Sequence, residues 1–208
     1  RSLDKLEFAN FCRARKFPAI FTSIRPDGVG PGPYVVKERF GAGAVNVGLN
    51  LGWKQALMQG KLLQSAIYQP FVEGIEVSID AWMDRDGDPR GIVLRRRDFV
   101  LRGEAQVTTT FRNNELEHAA AAVFKELRLR GPAVMQALMD PEFGWRIVEC
   151  NARFGGASTT AIGAGLDMLY WSLSEARNPA FKPIFERVLG EVRQVRMASD
   201  LLIFDPDL

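Results

Sequence analysis

Histidine is almost missing from this sequence: His118 is the only one among 208 residues, beside two cysteines, Cys12 and Cys150. His118 falls on the exposed-looking side of a helical pattern, so no Ser–His or Cys–His nucleophile pair is expected. The cysteines are far apart and match no metal-ligand spacing. That excludes a disulfide framework and predicts a reduced, cytoplasmic setting. No apolar run approaches the roughly 20 residues of a bilayer span, and no signal peptide is visible, so no membrane partner is expected. The net charge of +2 is near balance and no Lys/Arg block forms a tract, which argues against nucleic acid. The densest basic run, Arg95-Arg96-Arg97, lies inside an apolar, strand-like stretch. Two phosphate-loop fingerprints are missing as well: no Gly-Lys-Ser/Thr follows Gly41-Ala42-Gly43-Ala44, and GxGxxG spacing is absent.

What is present is an ordinary globular composition, 47% hydrophobic and 25% charged, enough to bury a core in one or two domains. The chain opens at Arg1 rather than Met, which leaves room for an upstream segment. Apolar spacing predicts a helix over 2–16, capped by Ser2 or Asp4, and a Gly/Pro-rich connector over 18–33. Strands are expected at 34–37, 67–72, 76–83, 91–100, 106–111, 133–139, 146–151 and 201–204. Helices are expected at 53–59 and 115–129, from Ser158 onward, and near 183–189. Residues 76–83 alternate polar and apolar side chains, the pattern of a half-buried strand. Strands joined by hairpins and followed by helices indicate an α+β fold.

The chemistry concentrates in Ile147–Gly156. Strand alternation puts Glu149, Asn151 and Arg153 on one face and turns Val148 and Cys150 into packing. A carboxylate, an amide oxygen and a guanidinium together suit a divalent cation and a phosphate; they equally describe a solvated strand end. Gln136, in an apolar strand thirteen residues before Glu149, needs a polar partner and could face Glu149 across a hairpin ladder. Lys37 ends a strand just before the small residues Gly41–Ala44, whose backbone could approach a phosphate, although such a loop is also an ordinary turn. In Gln69–Glu76, Phe71 and Val72 offer an apolar surface and Glu76 an acceptor; an edge strand with a proline explains the same residues. Arg95 and Arg97 share a face and either enter a cleft or meet solvent. Asp84, Asp86 and Asp88 imitate a calcium loop, but the glycine falls too early and no closing Glu follows, so a hairpin turn is expected.

In this order, from Lys5 through Lys37, Gly41–Ala44, Gln69–Glu76 and Gln136 to Glu149-x-Asn151-x-Arg153, the chain resembles the ATP-grasp superfamily. The likeness is nearest the ATP-binding halves of the carbamoyl phosphate synthetase large subunit and its stand-alone relatives, and runs from Leu3 to Asp167. It implies an ATP-grasp fold with a first subdomain at 1–72, a second at 73–208, and ATP gripped between their antiparallel sheets. Lys5 and Lys37 would contact phosphates, and Gly41, Ala42, Gly43 and Ala44 would close over them. Gln69, Phe71 and Val72 would border adenine and Glu76 would hold the ribose. Gln136, Glu149 and Asn151 would coordinate Mg²⁺, two ions being the expected number and Mn²⁺ a substitute, and Arg153 would steady the phosphoryl group. The implied reaction turns a small-molecule carboxylate into an acyl phosphate that an amine or ammonia then attacks. Carboxyphosphate or carbamoyl phosphate synthesis, or ATP binding without turnover, are the alternatives. Ala152 stands where relatives usually have proline, and Gln136 where many have an acid. The N-terminal domain usual in the family is not seen in this sequence, and homo-oligomerisation stays open.

Overall fold

The computed structural model describes residues 4–41, 46–101 and 103–197, which form two antiparallel sheets. The smaller, in the order β2-β1-β3, contains β1 (Tyr34–Glu38), β2 (Gly48–Leu51) and β3 (Ala66–Pro70). Helix α2 (Trp53–Lys61) closes one side of it, packing Ala56 against Tyr34, Val36 and Tyr68. Alternation along β1 and β3 therefore turns Lys37 and Gln69 to the opposite side.

The larger sheet runs β8-β7-β4-β5-β6-β9. Its strands are β4 (Glu76–Met83), β5 (Pro89–Leu101), β6 (Glu104–Phe111), β7 (Gly131–Asp140), β8 (Gly144–Asn151) and β9 (Arg193–Val195). One face is apolar: Val77, Ile79, Ala81 and Met83 of β4 meet Ala133, Met135 and Ala137 of β7. Helices α1 (Lys5–Ala14) and α3 (Asn114–Leu127) cover that face through Phe8, Phe11, Cys12, Leu116, Val123 and Phe124. The other face carries Glu76, Ser78, Asp80 and Trp82. At its Trp82 end it is covered by α4 (Thr159–Gly163) and α5 (Met168–Arg177), which bury Ala161, Leu166, Met168 and Trp171 around Trp82 and Val93.

The connector between α1 and β1 is stitched to both sheets. Ile147 of β8 donates to the Pro18 carbonyl and accepts from Ile20, while Ser23 and Tyr68 exchange two bonds. Residues 71–75 separate the strands of one sheet from those of the other, although α1 packs under the larger sheet.

Several expectations need adjustment. Helix α1 begins after Asp4, whose carboxylate caps Leu6 and Glu7. Strand β4 is not half-buried, because α4, α5 and the loop before them cover its polar face as well; Asp80 has no exposed surface. The 183–189 segment is irregular rather than helical. Phe185 is packed beside Trp82 and Trp171 by tertiary contacts, while Leu189 is fully exposed, so no helical stripe exists there. Strands β2 and β9 were not expected. Asp84 accepts from the amides of Asp86 and Asp88 and pairs with Arg90, a hairpin turn. The expected strand 201–204 and the cap candidate Ser2 lie outside the described residues.

Candidate functional site

The uncovered end of the polar face forms the floor of the site. Gln136 of β7 lies in register with Glu149 of β8 on one side and Ser78 of β4 on the other. A bulge follows this pair, with Ala137 opposite Ile147. The extra residue, Val148, restores Cys150 to the core while leaving Glu149 and Asn151 on the polar face. Asn151 Nδ2 donates to Glu149 Oε1 at 3.0 Å, and Gln136 Nε2 donates to Glu76 Oε1 at 2.9 Å. Both amides thus spend a donor and keep an oxygen. Arg97 pairs with Glu76 and donates through its second nitrogen to the Gly103 carbonyl at 2.7 Å.

The smaller sheet supplies the cations. Lys37 is largely buried, at 9% exposure, and its ammonium makes no hydrogen bond or ion pair among the described residues. Burial holds its ammonium below the ordinary value; the charges of Glu149 and Glu76 oppose that shift and Lys5 adds to it. These four groups come from α1, β1, β4 and β8, so the two sheets converge on one cluster. Lys5 Nζ donates to the Gly41 carbonyl at 2.8 Å, fixing the start of the glycine loop beside the cluster. Its neighbour Asp4 binds Arg39, and that pair ties the start of α1 to the end of β1. Ala42, Gly43 and Ala44 lie outside the described residues.

Other expected residues stand apart. Gln69 is buried and donates to Thr22 Oγ1 at 2.8 Å, a bond that anchors the connector to β3. Phe71 and Val72 line a cavity of about 490 Å³ with Ile20, Phe21, Phe143 and Arg146, none of which belongs to the lysine–carboxylate cluster. Arg153 lies beyond β8, which ends at Asn151, so strand alternation does not set its direction. Arg153 is exposed and donates to the carbonyl of the next residue, Phe154, at 2.8 Å. Cys150 packs in the core with Cys12; burial pushes the Cys12 thiol up to about 12 and raises Cys150 too.

Arg95 turned out to enter the protein rather than a cleft or solvent. It is 2% exposed and bonds Asp80 at 2.5 Å; the second oxygen of Asp80 accepts from Ser158. Ser158 Oγ in turn accepts from the Gly155 amide at 2.8 Å. Asp80, Ser158 and Arg196, which donates to the Gly156 carbonyl at 2.6 Å, were not singled out from sequence. Only the conspicuous burial of an acid in β4, visible as Asp80 between Ile79 and Ala81, hinted at such a network.

Among the described residues no three His, Cys, Asp or Glu side chains cluster as a metal site. Glu149 with the free amide oxygens of Gln136 and Asn151 nevertheless fits a cation such as Mg²⁺, which typically takes one or two carboxylates and completes its shell with phosphate oxygens and water.

A family model described as "ATP-grasp in the biosynthetic pathway with Ter operon" matches residues 63–195. The biotin carboxylase domain of Hydrogenobacter thermophilus 2-oxoglutarate carboxylase, solved with MgADP, ADP and bicarbonate, superposes with a TM-score of 0.78. It is 13% identical, over 92% of this chain and 49% of that one. Biotin carboxylase from Campylobacter jejuni gives 0.75 at 14% identity, over 92% and 50%. The N5-carboxyaminoimidazole ribonucleotide synthetase of Thermotoga maritima gives 0.67 at 14% identity, over 89% and 51%. The fold is therefore ATP-grasp, and the chain spans about half the length of these structures. No curated protein matches the sequence.

Proposed function

This chain belongs to the ATP-grasp family, and from that premise we propose that it binds Mg²⁺·ATP between its sheets and activates a carboxylate as an acyl phosphate for ligation to an amine. The observation that carries this reading is Lys37: a buried ammonium with no bonded partner among the described residues, subject to the charges of Glu149 and Glu76. Burying such a charge is costly unless an anion completes it, and a nucleotide phosphate is an anion of the right kind.

In this reading the two subdomains divide at residues 72/73. Lys37 and Lys5 hold phosphates, and Gly41–Ala44 closes over them. Gln69, Phe71 and Val72 border adenine at the crossing between sheets, and Glu76 accepts from the ribose. Glu149, Asn151 and Gln136 would hold Mg²⁺, which when bound offsets the charge repulsion between phosphate and carboxylate. Such phosphoryl transfer depends on positioning and charge rather than on a covalent catalyst. A substrate carboxylate oxygen attacks the γ-phosphorus, ADP departs, and Arg153 steadies the phosphoryl group. The amine then attacks the acyl carbon, phosphate leaves with the bonding pair, and the amine proton passes to solvent.

The test is ADP release by the chain with Mg²⁺·ATP against pooled amino acids, other small carboxylates, bicarbonate and ammonia, with Glu149→Gln as control. Release that depends on one pool and is lost in the variant supports the ligase. Release with bicarbonate and ammonia alone redirects the reading to carboxyphosphate or carbamoyl phosphate. ATP binding with no release from any pool replaces it with a nucleotide-binding module.

A further inference from the structure

The side-chain amide of Gln136 can be set in two ways, and only one of them serves a cation. An amide nitrogen offered to Glu149 would donate to that carboxylate and fill the space with a hydrogen bond. An amide oxygen offered there repels the carboxylate unless a cation lies between them. The contacts of Gln136 decide which is present. Strand β7 runs between β4 and β8, with Gln136 beside Ser78 on one side and Glu149 on the other. Glu76, two residues before Ser78 on β4 and so on the same face, accepts from Gln136 Nε2 at 2.9 Å. A carboxylate can only accept, so it selects the end of the amide that it meets. The nitrogen is spent on the β4 side, and the oxygen is the end left for Glu149.

Glu76 is itself held. Arg97 of β5 pairs with the same oxygen, Oε1, and its other terminal nitrogen donates to the Gly103 carbonyl at 2.7 Å. The Arg97 side chain is nearly withdrawn from water, whereas Glu76 is partly exposed, so the arginine is the fixed end of the pair. A short relay therefore runs across the floor, from the Gly103 carbonyl through Arg97 and Glu76 to Gln136, and it ends on an amide oxygen beside Glu149. Both donors go to Oε1, and Glu76 Oε2 has no bond among the described residues, so a ribose contact stays open to it.

We propose that Glu76 and Arg97 are positioning residues for the cation: they hold the Gln136 amide with its oxygen free for the ion that Glu149 binds. Partners behind a ligating group commonly control metal affinity in this way, by fixing the orientation of the ligand. The proposal rests on the Mg²⁺·ATP reading for the identity of the cation. It gives Glu76 a role that does not pass through the ribose.

Calorimetric titration of the chain with Mg²⁺ tests this, in the presence of either a non-hydrolysable ATP analogue or inorganic tripolyphosphate, which offers phosphates without a ribose. Glu76→Ala should weaken Mg²⁺ binding by about tenfold or more with both, and Arg97→Met by about threefold. Glu76→Gln keeps an acceptor oxygen for Gln136 and should stay within about threefold of the wild type. In a Gln136→Ala background, Glu76→Ala should cost nothing further. A circular-dichroism melt checks that each variant is folded. Weakening with the analogue alone overturns the proposal, leaving Glu76 on the ribose and the ATP reading intact. So does a Glu76→Ala loss that is the same with and without Gln136, or a Glu76→Gln loss as large as that of Glu76→Ala, since charge rather than position would then be at work. The expected pattern with tripolyphosphate, in a chain that does not bind the analogue, upholds the relay and rejects the ATP reading. A wild type that binds no Mg²⁺ with either polyphosphate overturns both.

Discussion

Arg95 and Lys37 are both cations withdrawn from water, and each belongs to a different sheet. Arg95 has everything a buried charge requires: Asp80 at 2.5 Å, Thr108 nearby, and an acid whose other oxygen is taken by Ser158. Lys37 has no bonded partner among the described residues, only the distant attraction of Glu149 and Glu76. The difference separates fold from function. A charge matched inside the chain holds loops in place, whereas a charge left unmatched holds a position for something that arrives from outside.

The largest effect should come from breaking the matched pair. Arg95→Met leaves Asp80 buried and alone, at a cost of about 3–5 kcal/mol, and Asp80→Leu alone should cost as much. The double variant, Asp80→Leu with Arg95→Met, should regain most of that loss. Urea unfolding of the four proteins closes the cycle. Strictly additive losses would show that the pair does not act as a unit.

Lys37→Met should do the reverse. Removing an unmatched buried charge should leave the folded protein as stable as before, or more stable by about 1 kcal/mol, because the desolvation penalty disappears. Affinity for Mg²⁺·ATP should fall by about a hundredfold, near 2.7 kcal/mol. Calorimetric binding beside a thermal melt checks both signs. A Lys37→Met protein that is destabilised yet binds ATP normally would place Lys37 with Arg95 as part of the scaffold.

How much of this contrast sequence alone could disclose depends on distance along the chain. Strand β4 was legible to its ends because Gly74 and the Asp84–Asp88 turn bracket it, and α3 because its apolar period is regular. Glu149 and Asn151 were legible because alternation needs only neighbouring residues. The partners of the charges were not. Asp80 and Arg95 meet diagonally across a hairpin, Glu76 and Arg97 face each other across the same strands, and Glu104 meets Arg196 from the far end of the chain. Arg153 lies two residues past the end of β8, where strand alternation no longer sets the direction of a side chain. Strand β9 exists only because β6 offers three residues of free edge, Val107–Thr109, and β2 hides among glycines with mostly exposed side chains.

The contrast also predicts a pH dependence. Between its lowered value in the fold and the ordinary 10.5, Lys37 holds fewer protons in the folded state than in the unfolded. Stability of the ligand-free protein should therefore rise with pH through that window, as the charge penalty is relieved. ATP affinity should fall over the same window, since the neutral amine no longer attracts phosphate. Melts and titrations across alkaline pH, with Lys37→Met as reference, should show both trends only in the wild type. A parallel pH course in the two proteins would mean that Lys37 is not the titrating group.

Asp4 and Arg39 lie between the two extremes: matched, but only partly buried. The Arg39 guanidinium holds the Asp4 carboxyl below its ordinary 3.8, and the amides of Glu7 and Leu6 act in the same direction. Asp4→Asn keeps a good helix cap and removes only the charge, so the expected cost is about 0.5–1 kcal/mol after allowing for solvent screening. A carboxylate with a depressed value stabilises the fold above its unfolded value and stops doing so as pH falls through the folded one. The gap between wild type and Asp4→Asn should thus be full at neutral pH and vanish in acid below 3.8. Because Lys5 follows Asp4 and touches Gly41, the same variant should also loosen the hold on ATP slightly, by no more than about threefold. An acid-independent gap in the melts would assign the whole contribution of Asp4 to its cap, leaving Arg39 as a surface charge.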